Sequence, residues 1–159
     1  MIRLEERLAI AAPIERCFDL SRSVEVHLAG NVHGGAAATA RGAAGLLEPG
    51  RPVTWRAKHF GVWHELTSRI TAMERPSWFQ DVMLRGPFRS LRHDHRFRPL
   101  DSATTEMTDL LLVEAPFGPP GRLVEIAVLG RYMRSLLLER MTVIRQIAES
   151  DEWRRYLPS

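Results

Sequence analysis

From Val53 to Glu114 the chain is a succession of short runs in which apolar and polar residues alternate, each closed by a turn signal, and one long helical pattern follows. Alternating strands carry one apolar face apiece and an amphipathic helix carries another, so neither is stable until that face is covered. The order restricts the chain to the α+β class, with an antiparallel sheet closed over a helix.

The turn signals set registers. Phe60-Gly61-Val62-Trp63 has glycine at the first central position of a two-residue loop, which a type II′ hairpin requires. That register faces Phe60 to Trp63, His59 to His64, Ala57 to Leu66 and Val53 to Ile70, and puts Trp55, Leu66 and both imidazoles on the apolar side. Arg75-Pro76-Ser77 turns into a strand from Trp78 to Arg85, and Gly86-Pro87 turns into the next, ending at Phe97. Two readings of that second turn stay open: a two-residue loop faces Asp81 to Arg92 on the outer side, and a three-residue loop, Gly86-Pro87-Phe88, faces it to His93. A five-residue loop from Pro99 to Ala103 then pairs Arg98 with Thr104, and so His95 with Met107 and His93 with Asp109.

Upstream, Ile2 to Ile10 reads as a first strand with Leu4, Leu8 and Ile10 inward. Ala12-Pro13 opens a short helix whose face is Ile14, Cys17 and Phe18, and a second short helix covers Val24 to Ala29. Gly30 to Gly45, rich in glycine and alanine, reads as a connection or pocket lid with an edge strand near Ala38 to Gly42. Pro116, Gly118, Pro119, Pro120 and Gly121 stop the last strand before a helix from Arg122 to Glu149. The expected organisation is one domain over residues 1–150, with 151–159 a frayed tail.

The chemistry centres on one strand. His93 and His95, two apart, share the face of Leu91 and Phe97, so imidazoles project from the apolar side of the sheet. A partly polar, incompletely filled interior is what a small-molecule cavity needs. His93 opposite Asp109 has the form of an oriented acid/base, because a carboxylate on one ring nitrogen fixes the tautomer and frees the other. A buried His–Asp pair that only pins two strands accounts for the same residues. His59, His64, Asp81 and His95 add polar points to a lining expected from Trp55, Leu66, Met83, Leu91, Met107, Met133 and Leu137.

Several classes lose support. No zinc-type ligand spacing, phosphate-binding glycine loop, nucleophile elbow or dinucleotide fingerprint is present, so no cofactor or metal is expected. Of the 22 basic residues only Lys58 is a lysine, and 19 acidic residues are interspersed with them, which argues against nucleic acid as a partner despite a net charge of +3. The lone Cys17 rules out an internal disulfide and suits a reducing cytoplasm. The start of the chain lacks a signal-peptide apolar run, and no stretch approaches the ~18 apolar residues of a membrane span.

Three segments carry a family likeness: Ile10-Ala11-Ala12-Pro13-Ile14-Glu15-Arg16-Cys17-Phe18-Asp19; the block Asp81 to Phe97 with Gly86-Pro87-Phe88 and His93-Asp94-His95; and Thr108-Asp109. Over about Ile2 to Glu149 the chain resembles the START-like superfamily of helix-grip proteins, the SRPBCC group that includes polyketide cyclase/dehydrase-like proteins and the birch-pollen-allergen fold. The resemblance implies a curved seven-stranded antiparallel sheet gripping the terminal helix, with two short helices after the first strand. It also implies an apolar cavity for a lipid- or polyketide-like molecule. The expected function is to bind such a molecule, with a cyclase or dehydratase using His93 and Asp109 as the alternative and a ligand-free protein-interaction module as the second.

Overall fold

The computed structural model describes residues 1–30, 32–33, 36–116 and 122–158, with backbone alone for 32–33, 36–37 and 122–126. Strand β1 (Ile2–Ile10) leads into helices α1 (Ile14–Ser21) and α2 (Val24–Ala29). A two-stranded ribbon, β2 (Val32–His33) with β3 (Ala36–Ala37), precedes the edge strand β4 (Thr39–Arg41). The meander β5 (Pro52–His59), β6 (Val62–Glu74), β7 (Trp78–Arg85), β8 (Ser90–Pro99) and β9 (Thr105–Glu114) ends in helix α3 (Arg122–Glu149). Seven strands form one antiparallel sheet in the order β1-β9-β8-β7-β6-β5-β4, so the expected α+β helix-grip architecture is the observed one. Of the segment expected as a loop or lid, Asn31, Gly34 and Gly35 lie outside the described residues, as do Phe117 to Gly121 before α3.

Period-two patterning decides which side is buried. In β9, Thr105, Met107, Asp109, Leu111 and Val113 are buried while the residues between them are partly exposed. Opposite them in β1, Ile2 pairs with Val113, Leu4 with Leu111, Leu8 with Met107 and Ile10 with Thr105. The closed core lies where α1 and the second half of α3 cross this end of the sheet. Phe18 meets Phe79 and Phe97 edge-on, at 5.4 and 5.5 Å between ring centres, and Met107, Met141 and Ile144 fill the space around them. Ser23 starts α2 by accepting a hydrogen bond from the Val26 amide.

Two registers differ from the expectation, each by two residues. The β5–β6 turn is Phe60-Gly61, both at positive φ (51° and 76°) as a type I′ loop requires, so Ala57 faces His64, His59 faces Val62 and Val53 faces Ser68. In β8–β9, His95 pairs with Asp109 and His93 with Leu111. A slip of two leaves every side chain on its own face, so the sidedness of both hairpins stands although the partners change. At β7–β8 the three-residue register holds and Asp81 faces His93. The terminal residues have local structure of their own. Asp151–Arg155 form a 3-10 turn, Trp153, Tyr156 and Leu157 pack on the core, and the Arg16 guanidinium sits 4.3 Å above the Trp153 ring.

Candidate functional site: a hollow between sheet and helix

At the other end of the sheet the first half of α3 stands off β5 to β8, and a hollow of about 290 Å³ lies between them. Its walls are Trp55, Leu66, Leu91, Leu111, Met133 and Leu137, apolar positions that alternate along strands or recur at helical spacing. Where the β5–β6 hairpin tip reaches α3, Tyr132 Oη and His59 Nδ1 are 2.7 Å apart and the Phe60 ring lies 4.3 Å from that of Tyr132. His64 lines the same end.

The opposite end is polar. Asp81, His93, His27 and Arg140 contribute to the lining there, and behind His93 lies a buried group built around Asp109. Asp109 Oδ1 is 2.9 Å from His95 Nδ1, while Oδ2 accepts from Arg140 Nη1 at 3.2 Å and lies 3.4 Å from His93 Nε2. That last approach falls outside hydrogen-bond geometry, and His93 Nε2 is buried with no hydrogen-bond partner among the described residues. Burial opposes ionisation of Asp109, but His95 and His93 facing it more than offset this and hold its carboxyl well below the usual range. Burial, reinforced by the nearby His93 and the Arg140 guanidinium, pushes His95 down to about 3. Neutral His95 therefore presents its Nδ1–H to the carboxylate, and the Arg140 Nη1 atom 3.4 Å from that nitrogen is a neighbour and not a donor to it. Arg140 Nη2 instead donates to the Ser21 carbonyl at 2.7 Å, tying α3 to α1.

Asp81 is set differently. Its Oδ1 is buried without a hydrogen-bond partner among the described residues, and burial raises its pKa although the Ser68 hydroxyl pulls the other way. Ser68 in turn accepts from Trp55 Nε1 at 3.2 Å. The ring of His27, from α2, lies 4.0 Å from that of Trp55 and tilted to it, and burial, with Arg140 next in effect, drives its pKa down to about 3.

Of the residues expected at the site, His93, His59, His64, Asp81, Trp55, Leu66, Leu91, Met133 and Leu137 line the hollow. Asp109 and His95 lie behind it, and they meet each other across β8 and β9 where His93 and Asp109 were expected to. Met107 does not reach it: the register places it opposite Phe97 in the closed core, where its sulfur is 3.6 Å from the Ser21 hydroxyl. Met83, opposite Ser68 beside a register shift in β6, packs against the core as well. Among the polar residues of the lining, Tyr132, Arg140 and His27 were missed. Arg140 had a readable signal, an arginine at helical spacing from Met133, Leu137 and Ile144 on the apolar stripe. His27, in the last turn of a six-residue helix, had none.

His93, His95 and Asp109 offer donor atoms within 4.8 Å of one another, a spacing a metal ion could use. Arg140 already supplies the positive charge at that carboxylate, and a divalent ion would have to displace it.

No family model and no curated protein sequence matches the chain. Its backbone nevertheless has a helix-grip fold similar to that of solved START superfamily structures. Among solved structures, TTHA0849 from Thermus thermophilus is similar with a TM-score of 0.70 at 17% identity, over 93% of this chain and 99% of that one. The Zhui aromatase/cyclase from a Streptomyces species follows at 0.68 and 16%, over 92% and 93%. A START superfamily protein from Mycobacterium smegmatis is similar at 0.66 and 14%, over 91% and 98%. At these identities the likeness is one of fold.

Proposed function

We propose that the protein holds a hydrophobic small molecule, lipid- or polyketide-like, in the hollow between the sheet and α3, and does so in the cytoplasm. The observation that carries this reading is the hollow itself, with apolar walls and one polar end where Asp81, His93, His27 and Arg140 converge. An apolar body is driven in by loss of water contact, and the polar end fixes its orientation. Native mass spectrometry of protein purified from its own host is expected to show a co-purified small molecule. Met133→Trp or Leu137→Trp should fill the space and abolish its retention. A folded variant that keeps the molecule undiminished overturns the reading. The solid interior that a ligand-free interaction module would have does not fit this hollow.

A second reading, a cyclase or dehydratase, draws support from His93, which stands at the hollow with Asp81 opposite it and the Asp109 carboxylate behind it. A carboxylate bonded to one imidazole nitrogen fixes the tautomer for general acid–base work, and the 3.4 Å approach of Asp109 to His93 Nε2 would have to tighten with substrate bound to do so. On this reading His93→Ala lowers turnover of a polyketide-like substrate by ~10², and an unchanged rate in a folded variant removes His93 from the chemistry.

A further inference from the structure

The polar end of the hollow is selective in a way its walls are not. Among the described residues that line it, Arg140 is the one arginine or lysine, and its guanidinium is committed to Asp109 Oδ2 at 3.2 Å and to the Ser21 carbonyl at 2.7 Å. A ligand carboxylate would therefore find that guanidinium already engaged. It would also come against Asp81, a carboxyl group at the same polar end whose Oδ1 no described donor reaches. Two carboxyl groups in that setting repel or force one to stay protonated. An ammonium, conversely, would bring a second cation beside Arg140 and lose its own hydration.

A hydroxyl meets neither obstacle. It donates to Asp81 when that group is ionised and accepts from it when it is protonated, so it suits either state. The torsion that turns an aspartate carboxyl is broad, so the group can rotate to meet it, with the Ser68 and Trp55 pair behind. We infer that the hollow takes apolar molecules ending in a hydroxyl, a phenol or an alcohol, seated on Asp81, and rejects carboxylic acids of the same skeleton. This rests on the reading of the hollow as the ligand site.

The test uses three probes of one skeleton, 2-naphthol, naphthalene and 2-naphthoate, titrated calorimetrically into the full chain and its Asp81→Leu, Asp81→Asn and Met133→Trp variants. In the unaltered protein 2-naphthol is expected to bind about ten-fold more tightly than either other probe, the range of one hydrogen bond to a charged group. Asp81→Leu brings 2-naphthol and naphthalene to within about two-fold, whereas Asp81→Asn, which keeps a hydrogen-bonding side chain, retains the preference. Equal binding of 2-naphthoate and 2-naphthol overturns the inference while leaving the ligand site standing. A preference that survives Asp81→Leu overturns it as well. Should Asp81→Leu fail to fold, the unaltered protein and Asp81→Asn still decide between hydroxyl and carboxylate. Binding that persists in Met133→Trp, or failure of all three probes to bind, overturns the reading of the hollow and the inference with it.

Discussion

Asp109 is the residue on which most of the polar interior depends. It is fully buried, and its two oxygens meet Arg140 and His95, with His93 close by. The carboxylate supplies the balancing negative charge, without which Arg140, largely withdrawn from water, is an uncompensated cation. Removing one partner of a buried ion pair costs far more than the pair contributes net. Asp109→Leu is therefore expected to lower stability by about 3–5 kcal/mol in urea unfolding at neutral pH. The double variant Asp109→Leu/Arg140→Leu should be less destabilised than the sum of the single ones, because it leaves no orphaned charge. Additive losses would show that the two side chains act independently and that the α3 contact is incidental.

At the scale of the element, the β5–β6 hairpin shows what was legible in the sequence and what was not. Val53, Trp55, Ala57, Leu66 and Ile70 alternate cleanly enough to fix the buried face, and the same holds for Leu91, His93, His95 and Phe97 in β8. Helix α3 was legible from its stripe and from the proline and glycine cluster before it. Partners were not, because a turn can shift by two residues without changing any face, and Phe60 at a φ of 51° occupies a conformation that β-turn preferences reserve for glycine and asparagine. The Phe60 ring lies against that of Tyr132, a tertiary contact no local pattern encodes. His27 and Asp81 reach the hollow for similar reasons, through a short helix and a register that only assembly decides. Gly61, at a φ of 76° with open space where a side chain would stand, makes the turn testable. Gly61→Val is expected to cost about 1–2 kcal/mol through the left-handed conformation alone. If thermal melts show no loss, the backbone relaxes elsewhere and the observed register is not fixed by this turn.

For the whole molecule, the buried imidazoles set how stability responds to acid. His27 and His95 are neutral inside the fold, with pKa values pushed down to about 3 by burial first and by neighbouring positive charges next. In the unfolded chain both return to ~6.5. Between these values the unfolded state binds more protons than the folded one, so stability falls as pH drops through that window and is level above it. Each histidine contributes a slope of up to about 1.4 kcal/mol per pH unit, and two together can exhaust a typical 5–15 kcal/mol of stability before pH 3 is reached. Asp109, ionised in the fold and held low, adds a loss in the same direction, but only once pH falls below the ordinary carboxylate range. Asp81 works against both, because its raised pKa favours the folded state when protonated, a gain that fades as pH rises above ~3.8 and through its shifted value. The net expectation is a urea midpoint constant from pH 8 to about 6.5 that declines steadily from there towards pH 4. His27→Gln, which cannot titrate, should roughly halve the slope across that interval. A midpoint flat down to pH 4.5, or a slope unchanged in His27→Gln, would mean that these rings take up protons without leaving the fold, and that the interior around the hollow is wet enough to hold charge.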